Sequence, residues 1–450
     1  MQKQDANLPA QQPSVLVVGA GMAGLAAAES LYSSGFKVEI VEQAAVVGGR
    51  VKSVAFHGRT IECGAQFPST GYRHIPQLFE RMGLAGSIEK ASPWAAYERK
   101  GQLHKINPRR PITFMTSGLL RWNELFDLAR GSISNGGAPR DRSCYAAYAP
   151  DDVEEALPWC TRKMGRGASE HLLDATIHGF YFYSLASTSR ALVSALMSFR
   201  GSEALAIRGG WDSLPRAMAK TLNVRTGLCV HRLIEQAGRV KAFVDKDTIE
   251  YDWVILAVPA PAANRILVAP NALESCVLQT RYASTVHVAL GMHPDWSLPK
   301  SLNGIHGILL SANEHAWGEG LVASMVVESA RLSVVNAPET LTLMLTDSAA
   351  RRFAENTDDY VIEEVVKWLE ARWAGIGSSV VSHRVQRWNL AEPLTPVGRA
   401  RNVQQYRIYL PTQRKVLLCG DYMGMPWTDG AVETGLWAAD RIRMLARKGP

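Results

Sequence analysis

The 450-residue chain contains no apolar run of about 18 residues, so no membrane-spanning helix is expected. Residues 1–13 are polar and lack the apolar core of a signal sequence, and they read as a loose tail before the first strand. Cysteine is sparse. Cys63, Cys144, Cys160, Cys229, Cys276 and Cys419 are scattered without a C-x-x-C pair, which suggests neither a metal site nor a disulfide framework and fits a reducing, cytoplasmic setting. With 20% charged and 47% apolar residues, the composition excludes both a disordered chain and a membrane-embedded one.

The excess of base is modest, a net charge of +7, with Arg441, Arg443, Arg447 and Lys448 gathered at the C-terminus. Such a patch could attract anionic lipid, nucleic acid or an acidic partner, but cations at a helix end also complement the helix dipole. No other feature supports nucleic-acid binding, and none is expected. The length exceeds the roughly 250–300 residues that one core sustains, so two or three domains, or one domain with insertions, are expected.

What is present begins at residues 14–50. Val15 to Val18 form an apolar run of strand length, Gly19, Gly21 and Gly24 follow in G-x-G-x-x-G spacing, and Leu25 to Leu31 continue as an Ala-rich helix. A second apolar run, residues 37–41, ends at Glu42. Gly19 allows a tight turn, Gly21 lets the backbone approach a pyrophosphate, and Gly24 lets the helix lie close on the sheet. The pyrophosphate would sit on the free N–H groups of that helix. An acid about 20 residues after the glycines is placed to accept hydrogen bonds from a ribose hydroxyl pair. The stretch predicts dinucleotide binding.

Residues 51–63 read as a β-hairpin turning at His57-Gly58-Arg59, which delivers Gly64-Ala65-Gln66-Phe67. A helix at 76–83 stops at Gly83. Residues 86–204 are richer in helix, at 119–130, 151–164, 168–178 and 189–199, with a Gly/Ser/Asn loop at 131–137. Leu119, Trp122, Leu125 and Phe126 share one helical face. That stripe could touch a membrane or an apolar substrate, although core packing is the commoner role of such a pattern. The aromatic cluster at 178–183 could line a pocket or simply fill the core. A helix after Gly209-Gly210-Trp211, strands at 224–258, 282–292 and 321–328, helices at 341–353 and 361–373, a strand at 415–420 and a helix at 430–447 complete the pattern. The expected fold is therefore α/β, or α+β overall. A Rossmann-like domain with a parallel sheet, from residues 14–85, 200–275 and 385–450, would accompany a discontinuous substrate domain of mixed sheet and helices, from 86–199 and 276–384.

These landmarks resemble the FAD-dependent amine oxidase superfamily, which includes monoamine oxidases, protoporphyrinogen oxidases and carotenoid-type desaturases. Four motifs carry the resemblance over nearly the whole chain. They are the glycine fingerprint with Glu42; Gly48-Gly49-Arg50; the strand pair around Val230 and residues 254–259; and Gly420-Asp421 followed by residues 427–435. The resemblance implies a non-covalent FAD, because residues 388–398 hold no cysteine for a covalent bond. It implies that Gly19, Gly21, Met22, Ala23, Gly24, Glu42, Gln43, Gly49 and Arg50 hold the dinucleotide, and that Gly64, Ala65, Gln66 and Phe67 pass close to the isoalloxazine. Val230 would meet the adenine edge, Asp421 the ribityl or phosphate end, and Gly430, Ala431 and Val432 the pyrimidine side. Asp421 could instead be an ordinary turn residue.

For catalysis, the resemblance places His287 where many amine oxidases carry a lysine near flavin N5, and a histidine there could hold a water or take a proton. The alternative is a histidine satisfied elsewhere in its sheet. Trp427 aligns with one wall of an aromatic cage, whereas Gly398 stands where the opposite wall would be. Trp388 would pack beside the flavin. The implied activity is dehydrogenation of an apolar or cyclic small molecule by hydride transfer to N5, amine to imine or carbon–carbon desaturation, with O2 as acceptor and peroxide as product. A protoporphyrinogen-oxidase-like or polyene-desaturating enzyme is an alternative within that class. A flavin mutase or isomerase, or a flavin-binding scaffold, are alternatives outside it. Peripheral membrane contact and the oligomeric state are left open.

Overall fold

The computed structural model describes residues 12–133, 140–312 and 320–447. The expected tail up to residue 11, most of the loop at 131–137, and Lys448 lie outside the described residues.

Strand Ser14–Val18 sits at the centre of a five-stranded parallel sheet, between Lys37–Glu42 on one side and Trp253–Leu256 on the other, with Val224–Thr226 and Val416–Leu418 at the edges. Val15 to Val18 are buried on both faces, which is why they form a continuous apolar run rather than an alternating one. Helix Met22–Tyr32 covers this sheet, and the last helix, Thr428–Arg447, lies directly on Met22–Tyr32. The contact is backbone to backbone: a Cβ on Gly435 would stand 2.1 Å from the Ala23 carbonyl oxygen. A three-stranded antiparallel unit, residues 230–251, follows Val224–Thr226.

The second sheet has seven strands in the order 380–393, 282–292, 340–345, 322–327, 307–309, 95–99, 102–106, antiparallel except where Gly307–Leu309 meets Ala95–Arg99. Val286, Val288, Leu290, Leu341, Leu343 and Leu345 pack from one face onto helix Asp358–Glu370. The opposite face turns toward the first sheet. Residues 385–393, grouped by the sequence pattern with the nucleotide-binding segments, pair here with Tyr282–Met292.

Two expectations are corrected. Residues 341–353, read as one helix, form strand Thr340–Leu345 and the short helix Asp347–Arg352. Thr340 to Leu345 alternate, with the leucines in the core and the Thr342 hydroxyl donating to Glu328 at 2.9 Å, and Thr346 caps the helix. The stripe at 119–126 does not pack as one core face. Leu119 is buried ahead of the helix and Leu125 is half-buried, while Trp122 and Phe126 are 72% and 70% exposed. Glu124 decides the orientation by accepting two bonds from Arg99, at 2.7 and 3.0 Å, which turns that side of the helix inward.

One buried ionic cluster joins the two halves. Arg331 donates to Glu328 at 2.7 Å, to Glu62 at 3.3 Å and to the Thr60 carbonyl at 3.0 Å, and Glu62 also accepts from the Trp211 amide and the Ser53 hydroxyl. It ties hairpin Ser53–Phe56 and Arg59–Glu62 to the second sheet through helix Glu328–Arg331. Removing one charge from such a cluster strands the others in a low dielectric. Arg331→Met is expected to lower unfolding stability by about 3–5 kcal/mol in a denaturant titration; an unchanged midpoint would show that the cluster adds nothing.

Candidate active site

The glycine turn is built for close approach. Gly19 has φ +103°, and a Cβ there would meet the Ala257 carbonyl oxygen at 2.8 Å; on Gly24 it would meet the Gly19 carbonyl oxygen at 2.0 Å. Gly21, the residue before helix Met22–Tyr32, faces open space instead, so room for a ligand lies beside it. Met22 and Ala23 form the first turn of that helix and are buried. The Glu42 carboxylate accepts from the Ala20 amide at 2.7 Å and the Ala44 amide at 2.8 Å, which fixes it at the strand end, while Gln43 is exposed. The Leu228 amide bonds to the Glu42 carbonyl, bringing Val230 to the same end of the sheet. Gly49 follows in a turn at φ +59°, held beside the glycine loop by the Gly48 amide on the Ala20 carbonyl.

Arg50 reaches across to the last part of the chain. It donates to the Ala391 carbonyl at 2.8 Å and to Asp421 at 2.5 Å, and Asp421 also accepts from the Tyr282 hydroxyl at 3.0 Å. Burial opposes the guanidinium charge, but Asp421, Tyr282 and Glu392 together outweigh it, so the Arg50 pKa rises above its ordinary value. Arg50 is surrounded by protein, yet its side chain keeps 29% of its surface accessible, as a group lining an interior hollow does. Gly420, at φ +132°, donates to the Thr434 hydroxyl and so positions Asp421. Gly430, Ala431 and Val432 form the first turns of helix Thr428–Arg447, where a Cβ on Gly430 would stand 2.4 Å from the Met425 carbonyl. An open glycine turn, a fixed acid, a charged arginine in a hollow and a helix start fit a dinucleotide.

The turn at 64–67 runs along that hollow. The Ala65 amide bonds to the Arg50 carbonyl, and Gln66 folds back onto the Glu62 and Gly64 carbonyls. Trp388 donates its indole N–H to the Cys63 carbonyl at 2.6 Å, and its ring lies 3.4 Å from where a Gly64 Cβ would be. Phe67 packs edge-on against Phe180 and His306.

His287 is fully buried, and neither ring nitrogen has a partner among the described residues, so the alternative of a satisfied sheet histidine is excluded. Its strand neighbours Val286 and Val288 enter the second sheet's core, so His287 points the other way, on the same face as Ala289, which contacts Ile61 and Cys63. Burial, aided by Arg331 and Arg384, pushes its pKa down to about 3. It is therefore neutral at pH 7, which corrects the expectation of a base with an ordinary pKa; a neutral imidazole can still hold a water.

Trp427 packs edge-on against Phe199 at 5.1 Å, and Phe199 against Tyr72 at 6.1 Å. Gly398 starts helix Arg399–Tyr409 at φ +100° with its amide on Asp152, and provides no opposite ring. Tyrosines supply aromatic surface instead. Tyr181 stacks on Tyr183, whose hydroxyl bonds to the Pro393 carbonyl at 3.3 Å, and Tyr72 lies within electrostatic reach of Tyr181. Glu392 is enclosed with them. Burial lifts its carboxyl well above the usual range, Arg50 and Arg399 opposing and Asp421 reinforcing, and it has no hydrogen-bond partner among the described residues. Tyr72, Phe199 and Glu392 carried no motif of their own, though Glu392 lies inside the stretch after Trp388. Asp429 was legible only as part of its motif; it accepts from the amides of Arg73, His74 and Ile75, which fixes the chain after Tyr72. A surface groove of about 1150 Å³ beside helix Asp358–Glu370 includes none of these residues.

A histidine kept neutral in the fold and charged in the unfolded chain lowers stability as pH falls. The loss for His287 begins near pH 6.5 and continues to about pH 3. His287→Leu should therefore lose about 2 kcal/mol less than the parent between pH 6.5 and 5 in urea titrations; equal losses would mean that His287 protonates normally.

The sequence profile of the family described as flavin containing amine oxidoreductase matches residues 22–443. L-amino-acid oxidase of Mus musculus is 25% identical over 479 aligned positions, covering 97% of this chain and 71% of that protein. Among solved structures, cyclohexylamine oxidase from Brevibacterium oxydans IH-35A superposes with a TM-score of 0.73 at 16% identity, covering 97% of this chain and 99% of the other. A CLA-producing fatty acid isomerase from P. acnes superposes with a TM-score of 0.72 at 16% identity, covering 96% and 98%. With that profile running from the first helix into the last, the chain belongs to the flavin-containing amine oxidoreductase family and is an FAD-dependent oxidoreductase.

Proposed function

We propose that the protein dehydrogenates an apolar or cyclic small molecule that carries an amine, giving an imine, with dioxygen as the final electron acceptor and peroxide as product. The observation that carries this reading is the enclosed carboxyl of Glu392, which has no hydrogen-bond partner among the described residues and lies within electrostatic reach of Tyr72, Tyr181 and Tyr183. A carboxyl whose ionisation burial opposes is stabilised as a carboxylate when an ammonium enters, and aromatic faces favour the same charge. Carbon–carbon desaturation would leave that acid without a task.

The non-covalently held FAD supplies the electron-accepting chemistry, at flavin N5. The chain's part is to orient and to exclude water. Residues 64–67 and Trp388 would flank the ring, Trp427 and the tyrosines would fix the substrate's approach, and Glu392, once ionised, would pair with the ammonium. His287, neutral and with neither nitrogen partnered among the described residues, would hold a water rather than act as a base.

The test is anaerobic mixing of the yellow protein with a panel of amines, porphyrinogens and polyenes, following flavin absorbance. An amine is expected to bleach it. Bleaching only by a polyene or porphyrinogen would overturn the amine reading, and turnover without bleaching would assign an isomerase. Trp427→Ala should lower kcat/KM about tenfold or more with FAD retained. Glu392→Gln should raise KM for amines.

A further inference from the structure

Two short helices of the helical region each leave two large apolar side chains outside. In Ile112–Thr116, Ile112 and Met115 are 58% and 46% exposed, and in Trp122–Ile133, Trp122 and Phe126 are still more so. The spacings, three and four residues, place each pair on one side of its helix. The inward sides are already engaged: Thr113 bonds to Asn107 and Arg110, Leu119 and Leu120 are buried, and Glu124 is clamped by Arg99. The outward orientation is therefore imposed by packing.

The segment that holds both helices is basic. Residues 105–130 carry five basic side chains against two acidic ones, Glu124 and Asp127. Both acids have arginine partners, Arg99 and Arg130, whereas Arg110 and Arg121 are exposed and make no ion pair among the described residues. A row of Ile, Met, Trp and Phe rimmed by free arginines matches a surface that is apolar beneath and anionic above. No helix among the described residues is long and apolar enough to cross a membrane, so the contact would be peripheral.

We propose that this face docks on an anionic lipid surface, with Trp122, Phe126, Ile112 and Met115 entering the headgroup boundary and Arg110 and Arg121 meeting lipid phosphates. Tryptophan favours that boundary because its ring is apolar and its N–H is polar. A second copy of the chain fits less well, since two basic rims would face each other. The proposal stands apart from the substrate reading.

The test is sedimentation of the FAD-loaded protein with vesicles of equal parts phosphatidylglycerol and phosphatidylcholine, and with vesicles of phosphatidylcholine alone. Binding is expected to the first, to weaken at high salt, and to fall at least about tenfold in a Trp122→Ser/Phe126→Ser variant that keeps its flavin spectrum and melting temperature. Arg110→Gln/Arg121→Gln should weaken binding with a smaller salt dependence. The proposal fails if the wild type stays in the supernatant with both vesicles, or if the serine variant binds as well as the parent. It also fails if light scattering shows a dimer, without lipid, that the serine variant dissolves.

Discussion

The contact between the first helix and the last one is the constraint on which the rest depends. Gly435 lies so close to the Ala23 carbonyl that no side chain fits between them. That approach carries Gly420, Asp421 and Trp427 to the end of the parallel sheet where the glycine turn opens. Arg50 and Asp421, separated by most of the chain, then meet in one ion pair, and Tyr282 joins them from the second sheet. Opening the helix contact would dismantle the cofactor cradle and the substrate wall together, because both are anchored to its N-terminal end.

Around that frame the interior holds an unusual share of ionisable groups. Arg331 with Glu62 and Glu328 is a paired cluster, and its partners offset the cost of desolvation. Glu392 and His287 have no hydrogen-bond partner among the described residues, and burial shifts both toward their uncharged forms. The distinction separates a structural role from a functional one. A satisfied cluster holds two sheets together, whereas a neutralised acid beside accessible space can respond to a ligand's charge. The same low dielectric that weakens His287 as a base strengthens any interaction Glu392 makes with a cation.

The helical region shows a comparable division on the surface. Arg99 and Glu124 settle the helix rotation from inside, and the aromatic residues opposite them are left in water as a consequence. Internal salt bridging thus controls what the protein offers to its surroundings.

The nucleotide-binding end was legible because its requirements are local. A positive φ at Gly19, a backbone approach at Gly24 and an acid at the end of the next strand each leave a residue type at a fixed spacing, and strand Tyr282–Met292 has the bounds read from the sequence. Residues 341–353 were misread because a run of alternating residues followed by helix formers is ambiguous until a neighbouring strand fills the edge. Composition could say that a histidine stood at 287, a tryptophan at 122 and a glutamate at 392. Only the tertiary structure decided that the first is neutral, the second exposed and the third enclosed among tyrosines. Protonation and exposure are set by what distant segments place around a side chain, and the linear order of residues does not contain that information.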